Sequence, residues 1–188
     1  MDLDHFDPDA FRQVLVEARA WSRLVPVPSG LERLRAAFAS VGVALLFLPE
    51  LKGTHLNGAS FRTADGKQVI QISLRHKRDD EVWFTIYHEA AHALRTPTRL
   101  VLDGVDLSSE GSDEEAAADA FARDLLLPPE SLTTWLELGT PDEGAIREFA
   151  KSQGVAAGIV VGRLQHDGIL RPNQLNFIKR EVSWVEDA

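Results

Sequence analysis

This sequence predicts an α+β fold: a small twisted sheet with a hairpin packed on one long helix, and a helical second half. Three observations predict it. The clear strand-like runs fall within residues 43–74. Helical periodicity brackets them on both sides. Strands and helices nowhere alternate in the way parallel βαβ units require.

The elements follow in order. Asp7-Pro8 reads as an N-cap followed by proline at the first helical position, opening a helix from Asp9 to about Ser22. Pro26 and Pro28 punctuate the chain, and Ser29 with Glu32 resembles a capping box for a second helix ending near Gly42. Val43 to Leu48 is a short buried strand. Ser60–Thr63, Asp65-Gly66 and Gln68–Leu74 read as a β-hairpin, because Asp-Gly suits the tight turn. Asp79 or Asp80 caps a helix that carries Val82, Phe84, Ile86 and two histidines, and Thr96-Pro97 ends it. Thr98 to Leu107 is strand or loop. Ser112 opens a helix over Asp113–Leu127, stopped by Pro128-Pro129. Glu130–Leu138, Glu143–Ser152, Ala156–His166 and Asn173–Val185 are helical in pattern.

A chain of 188 residues suits one domain with a sizeable core, spanning 1–188. It divides into N-terminal helices (1–42), the sheet and histidine helix (43–110), and a helical part (111–188). The apolar (44%) and charged (26%) fractions are those of an ordinary globular protein. A net charge of −9 argues against direct nucleic-acid binding and against docking to an acidic membrane. There is no cysteine, so disulfides and thiolate metal sites are excluded. No signal peptide precedes the first helix, and the longest apolar runs are too short to cross a bilayer. The expected location is the cytoplasm.

The chemistry is concentrated in Tyr87-His88-Glu89-Ala90-Ala91-His92, which spells H-E-x-x-H within a helix. His88 and His92, four apart, leave the same helical face and can hold one ion. Catalytic zinc takes three protein ligands plus water, so a third ligand must come from elsewhere. The next helix offers Glu115, with Asp119 one turn on to accept the second ring N–H of a ligand histidine. Glu110 and Glu114 are substitutes, although Glu114 faces away if Glu115 faces the metal. Glu89 points to the open position. Zinc brings the pKa of its water to about 7, and a carboxylate there can take the proton and pass it to a leaving amine. His55, His76, His166, Arg163 and Tyr87 are candidates for stabilising the oxyanion. Manganese or iron would accept the same ligands.

Each feature has a plainer reading. Histidines flanked by Phe84, Ala90, Ala91 and Leu94 would be partly buried and would need partners, which favours metal. Ser112-x-x-Glu115 is also a capping box, against which the pairing with Asp119 weighs. The tryptophans at 21, 83, 135 and 184 are packing residues. Arg75 to Asp80 is a solvated turn. Ile146 to Gln165 has the apolar spacing of a helix-turn-helix, but Ala157–His166 lacks the basic, polar face that reads a DNA groove.

Several segments together resemble the ImmA/IrrE metallopeptidases. They are Asp80 to Thr85 running into His88-Glu89-Ala90-Ala91-His92, Glu115-Ala116-Ala117-Ala118-Asp119-Ala120-Phe121-Ala122, and Leu125-Leu126-Leu127-Pro128. Gly58-Ala59, Val69 to Leu74 and Gly158 to Gln165 add to the likeness, which runs from about Leu31 to Trp184. The resemblance implies a zincin-like fold, zinc on His88, His92 and Glu115, and Glu89 as the base. It also implies a helix-turn-helix repressor as protein partner, cleaved in a stress-response, mobile-element or toxin–antitoxin-like system. Two departures stand out. Many relatives carry an N-terminal repressor-type domain, absent here, which suggests a stand-alone protein or a fragment. Position 117 is Ala where many relatives have an acid.

The expectation is a zinc-dependent endopeptidase. The strand Val69–Leu74, if at a sheet edge, would take an extended substrate as a further strand. The alternative is a non-catalytic, zinc-stabilised regulator that binds a protein.

Overall fold

The computed structural model of the chain describes residues 5–49, 57–73, 78–95 and 112–182. Among them are seven α-helices and one three-stranded mixed sheet.

Helix α1 (Pro8–Ala18) begins where predicted. The Asp7 carboxylate accepts the N–H groups of Asp9 and Ala10, each at 3.0 Å. It tightens into a 3-10 turn over Arg19–Arg23. Helix α2 (Val27–Ala39) starts earlier than a Ser29/Glu32 capping box would allow. Pro26 sits at the cap and Pro28 in the first turn, where a missing N–H costs nothing because no intrahelical acceptor exists for it. Phe11 and Leu15 of α1 meet Leu31, Leu34 and Phe38 of α2 in a fully buried layer, with the Phe11 and Phe38 rings edge-on at 4.8 Å. Burying each such side chain contributes about 1.5–3 kcal/mol.

The strands are β1 (Val43–Leu48), β2 (Gly58–Arg62) and β3 (Gln68–Ser73). The hairpin is as expected: Gly66 takes φ +84° in the turn, and Thr63 N–H donates to Lys67 at 2.9 Å. Strand order is β1-β3-β2, with β1 parallel and β2 antiparallel to β3. β3 is therefore central and not an edge. Both of its backbone sides are already paired, and Ile72 is fully buried, so no substrate strand can add to it.

Helix α3 (Asp79–Arg95) packs on β2 and β3 and carries the histidines. Thr96-Pro97, Thr98–Leu107, Leu74 and Trp184 lie outside the described residues. Helices α4 (Ser112–Leu126), α5 (Pro129–Leu136), α6 (Glu143–Gln153) and α7 (Ala157–His166) complete the helical half. Pro128-Pro129 closes α4 and opens α5, as the sequence requires. α6 and α7 are joined through Gly154 at φ +71°. Gly158, Ile159, Val160, Val161 and Leu164 of α7 are buried, and α7 packs against α3. Its apolar face is spent on the core.

The predicted helix over Asn173–Val185 does not form in the described part. There is only a 3-10 turn at Asn176–Ile178, followed by extended chain. The cause lies at the start of α3. Asp79, fully buried, accepts from the Arg180 backbone at 3.0 Å and from its guanidinium at 2.7 Å. The Asp79 N–H returns a bond to the Arg180 carbonyl at 2.9 Å. Asp80 pairs with the Lys179 ammonium at 2.6 Å, both nearly buried. Burial pushes the Asp80 carboxyl above the usual carboxylate range, and Lys179 opposes that shift. These aspartates do more than cap α3, because they fasten the later segment in an extended form. No helix among the described residues is long and apolar enough to cross a membrane.

Candidate metal centre

α3 and α4 lie side by side and bring three candidate ligands together. His88 Nε2 is 3.1 Å from His92 Nε2 and 3.3 Å from Glu115 Oε2, and His92 Nε2 is 3.5 Å from Glu115 Oε1. Among the described residues this is the one group of three or more such side chains arranged to hold a metal ion. A tetrahedral ion with bonds of about 2.0–2.1 Å separates its ligand atoms by about 3.3 Å. The three distances straddle that value.

Proton assignment strengthens the fit. His88 Nδ1 is 2.8 Å from Asp119 Oδ1. A carboxylate only accepts, so the imidazole proton sits on Nδ1 and donates to Asp119. His88 Nε2 is then a lone pair, and it faces a carboxylate oxygen at 3.3 Å and another imidazole nitrogen at 3.1 Å. With both imidazoles neutral, at most one proton, on His92, is available to these contacts. Acceptors crowded in this way repel unless a cation lies between them. Burial, and then the neighbouring His88, push the His92 imidazole pKa down, which keeps its lone pair available.

Helical geometry explains the convergence. His88 and His92 share one face of α3, and Glu115 and Asp119 share one face of α4. Glu115 is directed at the two imidazoles, not held back as the second member of a capping box; the side chain of Ser112 lies outside the described residues. Glu114 is exposed. Glu110, His55 and His76 lie outside the described residues.

Glu89 follows His88 on the helix and turns toward β2. It is 7% exposed. Strand β2 passes so close that a Cβ on Gly58 would lie 2.7 Å from both Glu89 Cγ and Oε1, and 2.9 Å from Thr85 Cγ2. Only glycine gives the strand this approach.

The family profile of the peptidase M78, IrrE N-terminal-like domain matches residues 40–165, from just before β1 to the end of α7. The chain belongs to the peptidase M78 family. No curated protein matches it. The matched span contains both helices of the metal centre and the hairpin that covers Glu89.

Within this M78 domain the other candidates for stabilising an oxyanion fare differently. Tyr87 is fully buried and its hydroxyl donates to the Leu15 carbonyl at 2.6 Å, so it holds α3 to α1. Burial pushes its phenol far up. Arg163 pairs with Asp167 at 2.7 Å and caps carbonyls at the end of α4. His166 is exposed and 3.3 Å from an Arg123 nitrogen. Sequence reasoning passed over Arg123, and it noted Gly58 only as part of a resemblance. Neither belongs to a local motif, and both acquire meaning only when β2 and α4 come up against α3.

Proposed function

We propose that this M78 chain is a zinc-dependent endopeptidase with a zincin-like fold. His88, His92 and Glu115 hold the ion, Asp119 fixes His88, and Glu89 is the acid–base residue. The observation that supports this most is the set of three acceptor groups at tetrahedral spacing around a point that needs positive charge. Manganese or iron suits the same donors. When bound, the ion supplies a Lewis acid that polarises a peptide carbonyl and acidifies water at neutral pH.

The chain's own residues do the rest. Asp119 accepts the His88 Nδ1 proton and holds the ring in one tautomer. Glu89 takes a proton from the attacking water and returns it to the leaving amine. Strand β2 packs on Glu89 and limits the positions its carboxylate can occupy.

The substrate we infer is a partner protein, a helix-turn-helix repressor, cut in the cytoplasm as part of a stress-response, mobile-element or toxin–antitoxin-like system. Family membership supports the peptidase class, and the resemblance to ImmA/IrrE peptidases supports the repressor.

The test is metal content by mass spectrometry beside cleavage of the repressor encoded nearest to this chain. Wild type should carry one ion and cut; Glu89→Gln should keep the ion and the partner but lose cleavage. Equal cleavage by Glu89→Gln would remove Glu89 from the acid–base role, and no cleavage by wild type would remove the peptidase reading. The burial of Glu89 favours one rival, a zinc-stabilised regulator without turnover. For that protein neither wild type nor Glu89→Gln cuts, and both bind the partner alike.

A further inference from the structure

A pocket of about 410 Å³ opens beside the metal centre, between the first half of α3, the end of α4, and α7. Thr85 lines the pocket and also flanks Gly58 next to Glu89, and the Phe84 ring, 6.2 Å from the His88 ring, forms a shared wall. Leu126 and Ile159 make the remainder of that wall apolar. One turn of α3 separates the pocket from the candidate ligands, about 5.4 Å. An extended peptide covers that distance in about two residues. A substrate side chain within three positions of the scissile bond therefore reaches the pocket.

The pocket's charges decide what it takes. Of its cations, Lys179 is matched by Asp80 at 2.6 Å and Arg163 by Asp167 at 2.7 Å. Arg123 has no carboxylate partner among the described residues. Among the described residues its guanidinium donates only to His166 Nε2, at 3.3 Å, and its Nε is buried without an acceptor. Glu81 also lines the pocket, so a second carboxylate can enter only where the guanidinium outweighs it. A guanidinium beside an apolar wall, with no carboxylate of its own among the described residues, matches a side chain with a short apolar stem and a carboxylate tip.

We propose that Arg123 is a specificity-determining residue that selects an acidic side chain, Asp or Glu, close to the scissile bond of the substrate. This rests on the metallopeptidase reading above, so the test separates the two.

The probes are short peptidyl hydroxamates, which bind through the metal, carrying Glu, Gln or Leu at successive positions. Their affinity for the zinc-loaded full chain is measured by calorimetry. At one position within three residues of the hydroxamate, the Glu compound should bind wild type at least 10-fold more tightly than the Gln compound. Arg123→Gln should bring that ratio to about one while hydroxamate binding persists. Arg123→Lys should retain part of the preference, and Arg123→Glu should reverse it toward a Lys-bearing compound. Because the readout is a ratio within each variant, a general loss of stability does not imitate it. If hydroxamates bind but the Glu/Gln ratio is flat, or is unchanged by Arg123→Gln, the assignment of Arg123 is overturned and the metal reading stands. If no hydroxamate binds the zinc-loaded protein, both are overturned.

Discussion

Gly58→Ala is the substitution that tests most directly how the fold positions Glu89. The added methyl would begin 2.7 Å from Glu89 Cγ and Oε1 and 2.9 Å from Thr85 Cγ2. Carbon atoms rest at about 3.5–4.0 Å, so relief requires a displacement of about 1 Å. Glu89 Cγ is the stem of the side chain and not its free tip, and the residue is 7% exposed. The carboxylate must therefore shift, or β2 must lift away from α3. Misplacing a catalytic group by about 1 Å costs about 100-fold in rate, and overpacking costs about 1–3 kcal/mol of stability. None of the three candidate ligands is touched. The expected result is zinc content equal to wild type, a modest fall in Tm, and kcat/KM lower by about 100-fold, carried mainly by kcat. The added substitution Thr85→Ala removes one of the two crowded neighbours and should restore part of the loss. A Gly58→Ala protein with wild-type kcat would show that β2 does not hold Glu89.

Other outcomes follow from the same geometry. Glu115→Ala or His88→Ala should abolish stoichiometric zinc, measured by mass spectrometry after dialysis, while far-ultraviolet circular dichroism stays native. Asp119→Asn weakens the acceptor for the His88 Nδ1 proton and should loosen zinc by about 10–100-fold in a chelator competition. Lys179→Met leaves the nearly buried Asp80 without its partner and should cost about 3–5 kcal/mol in urea unfolding, whereas Lys179→Met with Asp80→Leu should recover most of it. His92 has its imidazole pKa lowered, so it stays neutral as pH falls through the ordinary value of 6.5 and takes up a proton only below it. In the metal-free protein the His92 ring should therefore titrate below that pH in NMR, and a midpoint above it would contradict this.

Much of the site was legible because its determinants are local. The four-residue spacing of His88 and His92, and of Glu115 and Asp119, fixes which face each pair occupies whatever the rest of the chain does. The Asp65-Gly66 turn and Asp7-Pro8 cap are likewise short-range signals. What the sequence misread depends on distant partners. Residues 173–182 carry a helical pattern, yet Asp79 and Asp80, about a hundred positions earlier, hold Lys179 and Arg180 extended. The edge position on which strand addition to Val69–Leu74 depended fails for the same reason, since pairing of β1 with β3 skips over β2. Gly58 and Arg123 gain their roles only from elements that fold against them.

The two glycines of α7 have a consequence for how that helix can be used. Gly158 and Gly162, one turn apart, leave hollows into which Asp79 and Asp80 fit; a methyl at either would come within 2.6 Å of a carboxylate oxygen. Any molecule that gripped α7 by its inner side would have to pull it out of those sockets, uncovering the two aspartates that hold Lys179 and Arg180 and loosening the start of the histidine-bearing helix. In this chain a segment with the apolar cadence of a helix-turn-helix braces the helix that carries the candidate metal ligands.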